Sequence, residues 1–166
     1  MENAPLAIAG WIQPEDILLD VDVRDRHHAL ELIASAIGRT HGLEPAPIAR
    51  ALERREQAGS TALGDGFAIP HARIAGLVRP LTLFMRARTS IDFRAPDGTP
   101  VNDLLAIMVP TDGDKQDHLE SLAMISRLFC DPEFRAQLNK AADAATAADL
   151  FRSGALRFCN RAQRQF

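Results

Sequence analysis

The sequence predicts an α/β layer fold, with a central sheet and helices on both of its faces. Three observations lead there. Segments of helical period alternate along the chain with short strand-like runs. LLAIMVP (104–110) is a continuous apolar run ended by proline, too short for a helix and fitting a central strand covered on both faces. Of 166 residues, 46% are hydrophobic, enough for one real core. That core is mainly aliphatic, since the chain has eight Phe, one Trp and no Tyr.

Taken in order, residues 1–16 read as a loose lead-in broken by Pro5, Gly10 and Pro14. ILLDVDV (17–23) is strand-like. A helix follows, with Leu30, Ile33, Ala34 and Ile37 on one face and Gly42 as its stop. A second helix starts near Pro47, turns Ile48, Ala51 and Leu52 inward and Arg50, Glu53 and Arg54 outward, and runs out at Gly59. In GDGFAIPHARIAG (64–76), Gly64 and Gly66 loosen the chain before a strand at Phe67–Ile69. Pro70, with no N–H for a ladder, is expected to end that strand and leave His71 just past it. RPLTLFMRART (79–89) alternates as a strand, APDGTP (95–100) is a turn, and the 104–110 strand follows. Asp114 is the expected N-cap of a helix whose buried stripe is Leu119, Leu122, Ile125 (or Ser126) and Phe129. Two short helices follow, the second closed by Gly154. The domain proper thus spans 17–154, and 155–166 form a basic end, with Arg157, Arg161 and Arg164, read as flexible.

Composition excludes several classes of function. A net charge of −3 gives no basis for nucleic-acid or anionic-membrane binding. Cys130 and Cys159 stand apart from any CxxC or Cys/His ladder, which argues against a disulfide scaffold or structural zinc and fits a reducing compartment. No apolar run can span a bilayer and the start lacks a basic n-region, so the expected location is cytoplasmic with no membrane insertion.

Five histidines could carry chemistry. His27 and His28, in the first turn of a helix, read as solvated surface residues, and His41 as a helix-exit residue near the negative dipole end. His71 and His118 instead stand at junctions beside the two most buried strands, where open α/β sheets place their sites. Each also has a plain structural reading: a ring nitrogen bonded to a nearby carbonyl for His71, an ordinary polar helix start for His118. A metal site would draw a third ligand from Asp112, Asp114 or Asp117, but no HxH or HExxH spacing supports it. GDG lacks the GK[ST] of a phosphate-binding loop. The remaining chemistry uses His71 as nucleophile. A neutral imidazole can attack a phosphoryl group through one nitrogen while an acceptor holds the other. Charge on the equatorial oxygens then needs cationic or hydrogen-bonding partners. Arg54, Arg55, Ser60 and Thr61 upstream, Arg73 beside it and His118 are the candidates.

REQAGSTALGDGFAIPHAR (55–73) and APDGTPVNDLLAIMVPTDGDKQDHLESLAMISRLFCD (95–131) together resemble the enzyme IIA family of the sugar phosphotransferase system. The likeness is to its fructose/mannitol type, nitrogen-regulatory branch, and runs from about Ile17 to about residue 150. It implies a mixed sheet of about five strands with helices on both sides. It also implies that His71 is phosphorylated on Nε2 by a phosphohistidine carrier of the HPr type, with Arg55 and His118 as its active-site partners. Ser60, Thr61 and Arg73 are then phosphate-supporting candidates, and neither metal nor nucleotide cofactor is required. Ala72 stands where a glycine is common and Leu63 where isoleucine or valine is; neither removes a functional group. The expected role is regulatory, with phosphorylation state controlling docking on a transporter or sensor kinase, favoured slightly by the absence of a fused IIB in this chain. The alternative is a sugar-transport protein passing phosphate to an enzyme IIB, and the remote one a small metallohydrolase.

Overall fold

In the computed structural model, which describes residues 12–162, the first regular element is a single 3₁₀ turn (Pro14–Asp16) leading into β1 (Ile17–Val21). Helix α1 (Arg26–His41) is capped at its start by the Asp25 carboxylate, which accepts from His28 N, and at its end by Gly42 at φ 68°. Helix α2 (Pro45–Gln57) follows at once. Strands β5 (Leu81–Ile91) and β6 (Val101–Pro110) are the long ones. Three helices close the chain: α3 (Lys115–Cys130), α4 (Pro132–Lys140) and α5 (Ala144–Ala162).

The segment expected to be one strand is three. β2 (Ala62–Gly64) and β3 (Phe67–Ala68) form an antiparallel hairpin, and β4 (His71–Ile74) comes after it. Asp65 (φ 53°) and Gly66 (φ 84°) are both left-handed, the pair of dihedrals that a two-residue hairpin turn matched to strand twist requires. The glycines therefore tighten the chain here rather than loosen it. β3 ends before Pro70 and His71 lies past that end, as expected, but the histidine is not in a loop: it opens the next strand, β4. Pro70 sits between the two strands, where only its carbonyl is needed, and that accepts from Ile107 N at 2.9 Å.

The result is an α/β fold with an open mixed sheet of six strands. Their order is β1-β5-β6-β3-β2, and β4 also pairs with β6. β5 lies antiparallel to β6, while β3 and β4 lie parallel to it, one after the other along the same edge. Flanked on both sides and apolar throughout, β6 is the central strand that its sequence predicts; Leu104, Ala106, Ile107 and Met108 are fully buried. An ion pair lies within the sheet, where Arg86 of β5 donates to buried Asp103 of β6 at 2.8 and 3.1 Å.

Contacts group the chain into two compact units, Leu18–Asp112 and the combination of Met1–Ile17 with Gly113–Phe166. In the first, α1 packs on α2 and on β5, and α2 packs on β4. Gly38 lies where α1 turns into α2, and a Cβ there would come within 2.7 Å of Leu43 O and 2.8 Å of Pro45 Cγ. In the second, Phe129, Phe134 and Phe151 meet edge to face with centroids 5.4 to 6.2 Å apart. Asp114 caps α3 as expected, through Gln116 N. The buried stripe of α3 differs: Leu119 is 60% exposed, while Ser121, Met124, Ile125, Leu128 and Phe129 are buried. Gly154 does not close the last helix. It is buried inside α5, where a Cβ would come within 2.7 Å of Leu128 Cδ1, so it permits close packing while the helix continues to Ala162. The first eleven residues of the expected lead-in and the last four of the basic end lie outside the described residues.

Candidate active site

β4 alternates half-exposed His71 and Arg73 with buried Ala72 and Ile74, so His71 and Arg73 share one side of the strand. Parallel pairing of His71 with Ile107 fixes the backbone of the histidine against the most buried strand of the sheet. Arg55, near the C-terminus of α2, reaches this strand because α2 packs on β4.

Both ring nitrogens of His71 are engaged, and in different senses. Nδ1 lies 2.8 Å from Ile69 O, which can only accept, so Nδ1 carries the proton and donates. Nε2 then holds the lone pair, and Arg55 Nε donates to it at 3.0 Å. Burial holds the His71 pKa below the ordinary histidine value, and the Arg55 charge pushes the same way; the Ile69 hydrogen bond and Glu56 oppose them. The ring is therefore neutral around pH 7, with an aimed lone pair on Nε2.

The guanidinium is held from behind. Arg55 Nη1 donates to Gly59 O at 2.9 Å, in the loop that leaves α2. The hydroxyls of that loop, expected as phosphate donors, already have partners. Ser60 Oγ donates to Phe93 O at 2.6 Å and receives Ala62 N at 3.2 Å. Buried Thr61 donates through Oγ1 to Glu56 Oε2 at 2.6 Å. In this arrangement the two hydroxyls build the loop rather than face an anion. Arg73 Nη1 donates to Thr111 O at 3.2 Å. His118 belongs to the other unit, half-buried in the first turn of α3, where its N–H bonds Asp114 O at 3.4 Å.

His27 is exposed between Glu31 and Glu53, at 3.3 and 3.2 Å, and His28 Nδ1 accepts from Arg24 N. Among the described residues, no group of three His, Cys, Asp or Glu is disposed to hold a metal ion, and no helix is long and apolar enough to cross a membrane. One residue passed over in the sequence is Glu56. A glutamate between Arg55 and Gln57 reads as helix surface, yet it is 2% exposed. The signal that could have found it is the helical face: Glu56 falls four positions after Leu52 and eight after Ile48, both buried.

The fold and site define a class: an open mixed α/β sheet presenting a neutral, arginine-contacted histidine on a strand beside its central strand. Comparison with known proteins gives the family. The family model for the phosphoenolpyruvate-dependent sugar phosphotransferase system, EIIA 2, matches residues 11–154. A nitrogen regulatory protein of Bradyrhizobium diazoefficiens is 34% identical over 139 residues, covering 84% of this chain and 90% of its own. The crystal structure of nitrogen regulatory protein IIA-Ntr from Neisseria meningitidis superposes with a TM-score of 0.81 at 31% identity, over 87% of this chain and 98% of that one. A complex of enzyme IIAMTL and phosphorylated enzyme IIBMTL from Escherichia coli gives a TM-score of 0.70 at 14% identity, over 86% of this chain and 97% of that one, a likeness of fold. The chain belongs to the EIIA 2 family, among the phosphotransfer proteins of that system.

Proposed function

We propose that the chain is a phosphocarrier that accepts a phosphoryl group on Nε2 of His71 from a phosphohistidine carrier of the HPr type. The observation that carries this reading is the paired anchoring of one ring: Nδ1 tied to Ile69 O and Nε2 facing Arg55 Nε at 3.0 Å. In the exchange, the Nε2 lone pair attacks phosphorus in line while the P–N bond of the donor breaks and its electron pair returns to the donor imidazole. Arg55 passes from the lone pair to the equatorial oxygens, offering Nε and Nη2 to the phosphoryl group while Nη1 stays on Gly59 O. The Nδ1–H to Ile69 O bond stabilises the positive character that the ring gains. Arg73 adds positive charge on the same side of β4.

Phosphorylation adds about two negative charges to this surface, which alters docking by repulsion and desolvation. The nitrogen regulatory relatives, at 34% and 31% identity, favour a regulatory use of that switch over delivery of phosphate to an enzyme IIB. The attachment point tests the exchange. After incubation with phosphoenolpyruvate, enzyme I and the carrier, ³¹P–¹⁵N correlation on the histidine-labelled chain should place phosphorus on Nε2 of a single residue, His71. Phosphorus on Nδ1, or on another histidine, contradicts the reading.

A further inference from the structure

Glu56 sits where two costs fall on it together. Its carboxylate is 2% exposed, and burying an ionised group is unfavourable unless it is well hydrogen-bonded. It also lies in the last turn of α2, where the negative end of the helix dipole disfavours an acid. What offsets both is a pair of donors from one residue: Thr61 N to Oε1 at 2.9 Å and Thr61 Oγ1 to Oε2 at 2.6 Å.

The bonds continue from there in a circuit. Thr61 O accepts from Ile69 N at 3.0 Å, and Ile69 O is the acceptor for His71 Nδ1 at 2.8 Å. His71 Nε2 accepts from Arg55 Nε at 3.0 Å, and Arg55 is the chain neighbour of Glu56. The loop is pinned a second time by Arg55 Nη1 on Gly59 O, and by Gly59 N on Glu56 O at 3.2 Å. The carbonyl that decides which nitrogen of His71 carries the proton thus leads back through Thr61 to one buried carboxylate, and the loop that aims the guanidinium is held by that carboxylate and by the Glu56 backbone carbonyl.

We propose that Glu56 is a positioning residue for the phosphoryl exchange. Through Thr61 it fixes the carbonyl that selects the His71 tautomer and the loop that aims Arg55. It touches no reacting atom. The proposal rests on His71 as the acceptor, but its first readout does not require phosphoryl transfer.

The test uses ¹⁵N-histidine-labelled full-length chain as wild type, Thr61→Val, Thr61→Ser and Glu56→Gln, each checked for folding by thermal unfolding. Long-range ¹H–¹⁵N spectra at pH 7.5 report the tautomer of His71. Wild type and Thr61→Ser, which keeps the hydroxyl, should show Nδ1–H with unprotonated Nε2. Thr61→Val, and Glu56→Gln if it folds, should show a mixture of tautomers. In transfer from the phosphorylated carrier, the same variants should lose about tenfold to a hundredfold in kcat with KM within twofold, since misplacement of reacting groups acts on the chemical step. A folded Thr61→Val chain with a single Nδ1–H tautomer and wild-type kcat overturns the proposal. A wild type that shows the tautomer but takes no phosphate overturns the function assigned to His71 and leaves the circuit standing.

Discussion

Arg55 and His71, sixteen positions apart, meet at 3.0 Å through Nε and Nε2, so that a fixed cation sits on the lone pair that would be the nucleophile. At rest this contact holds the ring unprotonated on Nε2 and keeps the guanidinium within reach of an incoming phosphoryl group.

The first prediction concerns that cation. Arg55→Ala should slow phosphoryl transfer to His71 by about a hundredfold, the usual loss when one preorganised donor to a developing anion is removed. Arg55→Lys should recover only part, because an ammonium cannot present the planar fork. Thermal unfolding of both should stay close to wild type, as the side chain is half exposed. Stopped-flow or quench-flow transfer rates check this.

The second concerns pH. Burial lowers the pKa of His71 below 6.5, so the acceptor form persists into mildly acidic solution. Transfer should be flat across neutral pH and decline only as pH falls through the lowered value. The linkage has a definite sign: the unfolded ring takes a proton first, so the His71 contribution to stability is intact above about 6.5 and is lost as pH falls toward the folded value. His27 should behave oppositely. Glu53 and Glu31 raise its pKa, so its contribution is present below about 6.5 and lost as pH rises through the raised value. Ring-proton titration by NMR should find the two midpoints on opposite sides of 6.5.

The third concerns Gly38. Gly38→Ala gains about 1 kcal/mol of helix propensity but drives a methyl to 2.7 Å from the Leu43 carbonyl, which is backbone and cannot move aside cheaply. Overpacking should win, with a net loss of about 1–2 kcal/mol in denaturant unfolding. An alanine variant as stable as wild type would mean that the α1–α2 turn yields more readily than its geometry implies.

The fourth concerns the ion pair within the sheet. Arg86→Met strands the Asp103 carboxylate, 1% exposed, between β5 and β3 and should cost about 3–5 kcal/mol. Replacing both, Arg86→Met with Asp103→Leu, should restore most of that. Urea unfolding of the double-mutant cycle measures the coupling.

Much of this was legible in the sequence because period and length are strong signals for long elements. β5, β6 and helices α1 to α4 fall where alternation, apolar continuity and caps put them. The hairpin before His71 was not: its strands have three and two residues, below the reach of any periodicity, and its turn depends on Asp65 adopting a left-handed backbone. Pro70 does mark the end of β3, but its carbonyl still bonds β6 and the chain re-enters the sheet at His71, which a missing N–H does not signal. Leu119 misled, since the stripe of α3 is rotated from the one that begins there. The histidine was singled out by its place beside the most buried strands, and motif likeness chose Arg55 among the upstream cations. The glutamate that braces them was hidden, because buried acids resemble surface ones until their donors are seen.

The most direct measurement of the central claim is phosphorylation of wild type and His71→Ala by labelled phosphoenolpyruvate, enzyme I and the HPr-type carrier. Wild type should carry an acid-labile, base-stable label of one phosphate per chain, and His71→Ala none. No label on the wild type, or equal label on both, would contradict it.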